Sequence, residues 1–160
     1  SELIADTVHV LRAIGPSVIV ASSLGGLVAS FVTAQHPELV PGLALLAPAF
    51  GLLARLDQRL DPQGRMWTGD GRAFHLAEHV AADARTLDDQ SLPRRIYAPT
   101  LVVHGTADEV VPQGASERFF AALATTRKEL WIVPDGGHRL NTIAAEIGPR
   151  VDALVGIWPV

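Results

Sequence analysis

The chain has 160 residues, 48% hydrophobic and 19% charged, a balance that fits one soluble domain with a buried core and leaves little room for two. Its formal net charge of −4, with 13 Lys and Arg scattered along the chain, excludes a general binder of nucleic acid or anionic membrane, so the expected partner is a small molecule. The absence of cysteine excludes disulfides and thiolate metal sites. No run reaches the roughly 20 apolar residues of a membrane span, and the start lacks the order of a signal peptide, so cytoplasm is the expected compartment.

In chain order, Leu3, Ile4, Val8 and Leu11 recur at helical spacing from Ser1 to Ala13, and Gly15-Pro16 closes that helix. "SVIVA" (17 to 21) is a short, continuously apolar strand of the kind buried on both faces of a parallel sheet. From Leu24 to His36 a second helix carries Leu27, Val28, Phe31 and Val32 on one face and stops at Pro37. "LALLAP" (43 to 48), "TLVVHG" (100 to 105, after Pro99) and "ELWIVP" (129 to 134) are three more buried strands. A helix around Ala115 to Ala124 joins the last two, and another starts near Asn141 with Ile143, Ile147, Val151 and Leu154 on one face. The alternation predicts an α/β fold, a parallel sheet of about four strands with crossover helices.

Residues 50 to 97 break the alternation. They show no convincing strand, carry the loop-like "DPQG" and "TGDG", and contain one predicted helix from about Phe74 to Asp83. This segment is expected to be a cap-like insertion between the second and third strands, within a single domain of residues 1 to 160.

The first strand hands over to the second helix through "ASSLGG". A serine at a sharp strand-to-helix turn sits in strained backbone, and the residues two before and two after it must be small for the turn to close. Around Ser23 these are Ala21 and Gly25; around Ser22 they would be Val20 and Leu24, which excludes it. The turn would lift the Ser23 hydroxyl above the sheet's carboxyl edge, with the Leu24 N–H and the helix dipole facing a developing oxyanion. The plainer alternative is a loop serine beside glycines that pack a helix onto a strand.

A serine nucleophile needs a base and an orienting acid. "HGTADEVVP" (104 to 112) places Asp108 in the loop after the third strand, and "PDGGHRL" (134 to 140) places His138 after the fourth. The order Ser, Asp, His, each just past a strand's carboxyl end, resembles the α/β-hydrolase superfamily over nearly the whole chain. The resemblance implies that Ser23 attacks an acyl carbonyl, that His138 accepts and returns the proton, and that Asp108 orients and charge-stabilises the imidazole. No cofactor and no metal are expected.

Two departures stand out. The turn reads Ala-x-Ser-x-Gly where the family has Gly first. The sequence also opens at the helix before the nucleophile strand, whereas the family's sheet has about four more strands ahead, one followed by a loop that supplies a second oxyanion N–H. A fragment, a minimal variant or a replacement donor, with the loop after Pro48 the foremost candidate, would each account for this. The strand at 17 to 21 would then be an apolar edge, so pairing through a homodimer, or helix 1 to 13 folding over the edge, is expected.

Other polar residues carry alternatives. His75, Glu78 and His79 spell His-x-x-Glu-His, whose helical spacing would put both imidazoles on one metal, against the plainer reading of a solvated cap helix. His104 is expected to hydrogen-bond backbone, His36 to end a helix, and Asp135 to make a turn; Glu109 is the alternative acid to Asp108. Phe50, Leu52, Leu53, Met66, Trp67 and Phe74 are candidate pocket walls or the insertion's own packing; Phe50, Leu53, Met66, Trp67 and Phe74 are the tentative substrate pocket. The function expected is a serine hydrolase of an ester or thioester with a small or medium acyl group. The alternative is a non-catalytic α/β-hydrolase-like binding module or a fragment of a longer hydrolase.

Overall fold

The structure, a computed structural model, describes residues 1–67 and 71–156. In chain order it runs α1 (Glu2–Ile14), β1 (Ile19–Ser22), α2 (Ser23–Gln35), β2 (Leu43–Leu46), α3 (Leu56–Arg59), β3 (Arg65–Trp67), β4 (Ala73–His75), α4 (Glu78–Arg85), β5 (Thr100–Gly105), α5 (Gln113–Ala122), β6 (Lys128–Val133) and α6 (Ala144–Val155). Single 3-10 turns occupy Leu53–Arg55, Leu92–Arg95 and Asn141–Ile143.

The strands β1, β2, β5 and β6 form one parallel sheet in that order, so each crossover moves the chain one strand along. One row of the register reads Ile19, Leu43, Thr100, Lys128, which brings all four carboxyl ends out on the same edge. This is the α/β sheet that the alternation of apolar runs and helical spacing predicts.

The two-residue period of the strands divides the core. Leu43, Leu45 and Val102 face α1, α2 and α5 in one cluster with Leu27, Phe31, Val32 and Phe119. Ala44, Leu101 and Val103 face the other way, against Ile143 and Val151. The strand β5 is buried along its whole length, as its unbroken apolar run requires. On α2, burial extends beyond the apolar stripe: Ser30 and Thr33 are buried too, and their hydroxyls donate to the carbonyls of Gly26 and Ala29, 2.7 Å away in both cases.

Residues 50–97 differ from expectation. They contain two strands, β3 and β4, paired antiparallel with Met66 opposite Phe74. The predicted helix over 74–83 therefore starts late, at Glu78, because Phe74 and His75 belong to β4. Three-residue strands are too short to show a period in sequence. Of the loop-like "TGDG", residues 68–70 lie outside the described residues. The segment is anchored by Leu56, Ala81, Leu92 and Ile96, all buried.

Among the described residues β1 pairs only with β2, so it is a sheet edge, and Val20 on it is 52% exposed. Helix α1 does not fold over that edge: it packs along α2 on the sheet's face through Ile4, Val8 and Leu11. No helix among the described residues is long and apolar enough to cross a membrane.

Candidate active site

The chain turns from β1 into α2 at Ser23, whose φ of 50° lies in the left-handed region that a residue with a Cβ rarely adopts. Ser22 before it is extended, with φ −117° and ψ 155°. Space for the turn comes from Gly26 more than from Gly25. A Cβ on Gly26 would lie 3.0 Å from the Pro48 Cβ and 3.3 Å from its Cα, whereas one on Gly25 would meet only the Ala21 Cβ at 3.9 Å. The small pair Ala21 and Gly25 does face itself across the turn, with room for a methyl group; the close approach is between α2 and the loop after β2.

The second and third residues come from the loops after β5 and β6, and two glycines bring those loops together. A Cβ on Gly105 would overlap the Gly136 carbonyl oxygen, at 1.9 Å, so the backbones touch where side chains would hold them apart. The contact is secured by Ala107 N–H donating to Gly136 O at 3.0 Å and by Asp135 N–H donating to the Thr106 hydroxyl at 2.8 Å. Asp135 itself has φ 54° in this tight turn and faces neither Ser23 nor His138 through a hydrogen bond.

At this junction the structure brings Ser23, His138 and Asp108 into one line. The His138 Nε2 is 3.1 Å from the Ser23 Oγ, and its Nδ1 is 2.9 Å from the Asp108 Oδ2. The residues are 115 and 30 positions apart in sequence. The other Asp108 oxygen accepts the N–H groups of Val110 and Val111 at 2.8 and 2.9 Å. The Asp108 side chain is 1% exposed. That burial pushes its carboxyl upward, but the Val111 amide, the His138 ring and the Val110 amide together outweigh it and hold the group below the ordinary carboxylate range. Glu109 is exposed. A serine oxygen on a ring nitrogen whose other nitrogen meets a carboxylate can lose its proton to the ring as it attacks an electrophile.

Leu24, the second residue of α2, has its N–H in the first turn, where no preceding helical carbonyl is available to it. The loop after β2 offers no second donor of this kind. Ala47 N–H donates to Val103 O, Ala49 N–H to Ser23 O, Phe50 N–H to Pro48 O and Leu52 N–H to Ala49 O, while the Gly51 amide meets the Asp89 carboxylate and Pro48 has no N–H. The segment expected to replace the missing donor is thus fully engaged.

Beside Ser23 lies a cavity of about 330 Å³, floored by α2 and roofed by the insertion. Phe50, Leu53, Met66 and Phe74 line it, with Leu24 and Val111 at the Ser23 end. Trp67 does not: it is 57% exposed, because alternation along β3 turns it outward when Met66 turns in, and Arg65 sits over its outer face at 5.8 Å. Phe50 stacks on Phe119 with ring centroids 3.8 Å apart, so this wall is tied to α5.

The remaining histidines fall elsewhere. His75 is on β4 and His79 on α4, so the helical spacing that a shared metal would need is not realised. His36 caps α2 and pairs with Glu38 at 3.5 Å. His104 contacts the Val111 carbonyl, as expected of it, and also Ser116 and Asp108. Ser116, Gly26 and Gly136 were not singled out by sequence; the only signals for them are small residues beside already notable ones.

Three comparisons place this architecture among known proteins. The chain is 26% identical over 171 residues to the 2-hydroxy-6-oxo-6-(2'-aminophenyl)hexa-2,4-dienoic acid hydrolase of Metapseudomonas resinovorans, covering 83% of this chain and 57% of that protein. It thus spans little more than half of that relative's length. Est1E from Butyrivibrio proteoclasticus, solved with ferulic acid, superposes with a TM-score of 0.73 at 19% identity, over 95% of this chain and 64% of that one. Mouse alpha/beta hydrolase domain-containing protein 10 does so with a TM-score of 0.75 at 22% identity, over 94% and 68%. Residues 1–154 match the model of an uncharacterised protein family, UPF0227. The chain belongs to that family, UPF0227, and its fold is that of the α/β-hydrolases.

Proposed function

We propose that this protein is a serine hydrolase that cleaves a carboxylic ester or thioester through an acyl-enzyme intermediate. The observation that carries the reading is the position of His138, with Nε2 at 3.1 Å from the Ser23 Oγ and Nδ1 at 2.9 Å from Asp108. In this mechanism Ser23 Oγ attacks the acyl carbonyl while His138 Nε2 takes its proton. The imidazolium, stabilised by Asp108, then protonates the leaving alcohol or thiol as the tetrahedral intermediate collapses. Water repeats the sequence on the acyl-enzyme and frees the acid. The Leu24 N–H and the positive end of α2 face the oxyanion at both stages.

The cavity suits an apolar acyl group of small or medium length, since Phe50, Leu53, Met66 and Phe74 offer it no hydrogen-bonding partner. The curated relative is a hydrolase by name, which supports the same class. One observation favours a second reading, a non-catalytic binding module: the amides of residues 47 to 52 are engaged, so Leu24 is left without a second oxyanion donor from that loop.

Labelling by a fluorophosphonate separates the two readings without knowledge of the substrate, because it needs only an activated serine. Labelling of the native chain at Ser23, lost in Ser23→Ala, is expected. A folded native chain that resists the probe would favour the binding module.

A further inference from the structure

Hydrolysis of a wholly apolar ester would leave two charged side chains of the cavity beside Ser23 without a task. Arg55, which ends the 3-10 turn Leu53–Arg55, and Arg59, the last residue of α3, both line it. Arg55 is half-buried, and its Nε–H donates to the Gly51 carbonyl at 3.2 Å. Arg59 is exposed, and its Nη2–H donates to the Val110 carbonyl at 3.2 Å. These carbonyls hold the two guanidiniums against the loops that adjoin Ser23. Gly51 lies in the loop after β2, where the Ala49 N–H donates to Ser23 O at 2.9 Å, and Val110 lies in the loop that carries Asp108.

Neither guanidinium meets a carboxylate among the described residues, although acidic side chains are close in sequence. Asp57, between the two, pairs with Arg85 at 2.7 Å, and Asp61 pairs with Arg65 at 2.7 Å. Asp89 accepts the Gly51 amide instead. Asp83, the one acidic side chain among the cavity's lining residues, is on α4 and meets the Ser1 amino group at 3.4 Å. A guanidinium has five N–H donors, and among the described residues each of these two directs one to the protein. A cation partly withdrawn from water beside Leu53, Met66 and Phe74 carries a desolvation cost that an anion in the cavity would offset.

We propose that Arg55 and Arg59 form a carboxylate-binding subsite in the acyl pocket, so that the substrate is a half-ester or half-thioester of a dicarboxylic acid with an apolar middle. This names the substrate class of the proposed hydrolase and rests on that reading: Ser23 takes the ester carbonyl, the apolar walls take the methylenes, and the two arginines take the far carboxylate. A planar carboxylate suits the planar guanidinium fork. A phosphoryl group draws on backbone amides as well, and those of the adjoining loop, at residues 47 and 49 to 52, are engaged. A purely structural strap from α3 to the two loops needs the same two hydrogen bonds, but it would not sort substrates by charge.

The test compares kcat/KM for the mono-p-nitrophenyl esters of adipic to suberic acid with that for p-nitrophenyl hexanoate to octanoate, after subtraction of spontaneous hydrolysis. In the native chain the best acidic ester should exceed the neutral ester of equal length by about tenfold to a hundredfold, chiefly through KM. In Arg55→Gln/Arg59→Gln the ratio should fall to about one. Calorimetric titration of Ser23→Ala with monomethyl and dimethyl adipate makes the same comparison without turnover, and the monoester should bind more tightly by a similar factor. A ratio below about twofold in the native chain, or one that persists in the folded double variant, overturns the subsite and leaves the hydrolase reading intact. Should circular dichroism show the double variant unfolded, Arg59→Gln at its exposed position decides: a several-fold lower ratio is expected, and an unchanged one overturns the subsite. A native chain that turns over none of these esters, while Ser23→Ala still prefers the monoester, would overturn the hydrolase reading and leave the subsite standing.

Discussion

At Ser23 the backbone is held at φ 50° by what surrounds it, and only a packed turn can sustain that strain in a residue with a side chain. The proposed mechanism makes Ser23, His138 and Asp108 act as one unit, so their losses should not add. Ser23→Ala and His138→Ala should each cut kcat for a short p-nitrophenyl ester to the same small residual rate, and the double variant should be no slower than either. A double variant far slower than both would show that the residues do not cooperate. Asp108→Asn should cost about 10³- to 10⁴-fold in kcat, because an amide cannot accept N–H donors on both sides. The same substitution has a stability signature. The Asp108 carboxyl is held below the unfolded-state value of about 3.9, so its contribution is complete above that pH and is lost as pH falls through the lower folded value. The difference in unfolding free energy between native and Asp108→Asn, measured by urea titration, should therefore shrink on acidification through that window and stay constant above it.

Elements meet at this site through backbone contacts that tolerate no side chain. Gly26→Ala would press a methyl group onto Pro48 and should cost about 1 to 3 kcal/mol of stability by overpacking α2 against the loop after β2. Gly25→Ala, with ordinary contact to Ala21 only, should be neutral or stabilising by about 0.5 to 1 kcal/mol, since alanine is the better helix former. Urea midpoints of the pair check this, and equal losses would mean that the two glycines share the turn. Between β5 and the loop after β6 the contact is closer still. Gly105→Ala should displace Gly136, and with it the loop that carries His138, and so remove activity together with stability.

Over the whole molecule, two features follow from one strand. Among the described residues the strand β1 is a sheet edge, and an apolar edge favours pairing with another chain. The 160-residue chain should therefore show concentration-dependent self-association in sedimentation velocity. Val20→Lys, on an exposed position, should weaken that association, whereas Val18→Lys, which packs toward α6, should weaken folding instead. A monomer at every concentration would contradict the edge argument. In the proposed mechanism Leu24 is the one oxyanion donor among the described residues, so the same chain should also hydrolyse activated esters slowly, about a hundredfold to a thousandfold below a site with two donors.

Sequence alone determined what depends on near neighbours along the chain. Apolar period and Gly-Pro stops marked the four strands of the sheet and its crossover helices, because burial on a strand or helix repeats every few residues. The positions of Ser23, Asp108 and His138 were legible for a similar reason: each follows an apolar strand, and small residues or turn formers mark the loop. Tertiary structure decided what depends on residues far apart. It put His104 against Asp108 and Ser116, turned Trp67 away from the cavity that Met66 lines, made a hairpin of β3 and β4 from strands too short to show a period, and engaged the amides after β2. The glycine that mattered most at the Ser23 turn was Gly26, since the atom it must clear belongs to Pro48, 22 residues on, and no local pattern records that distance.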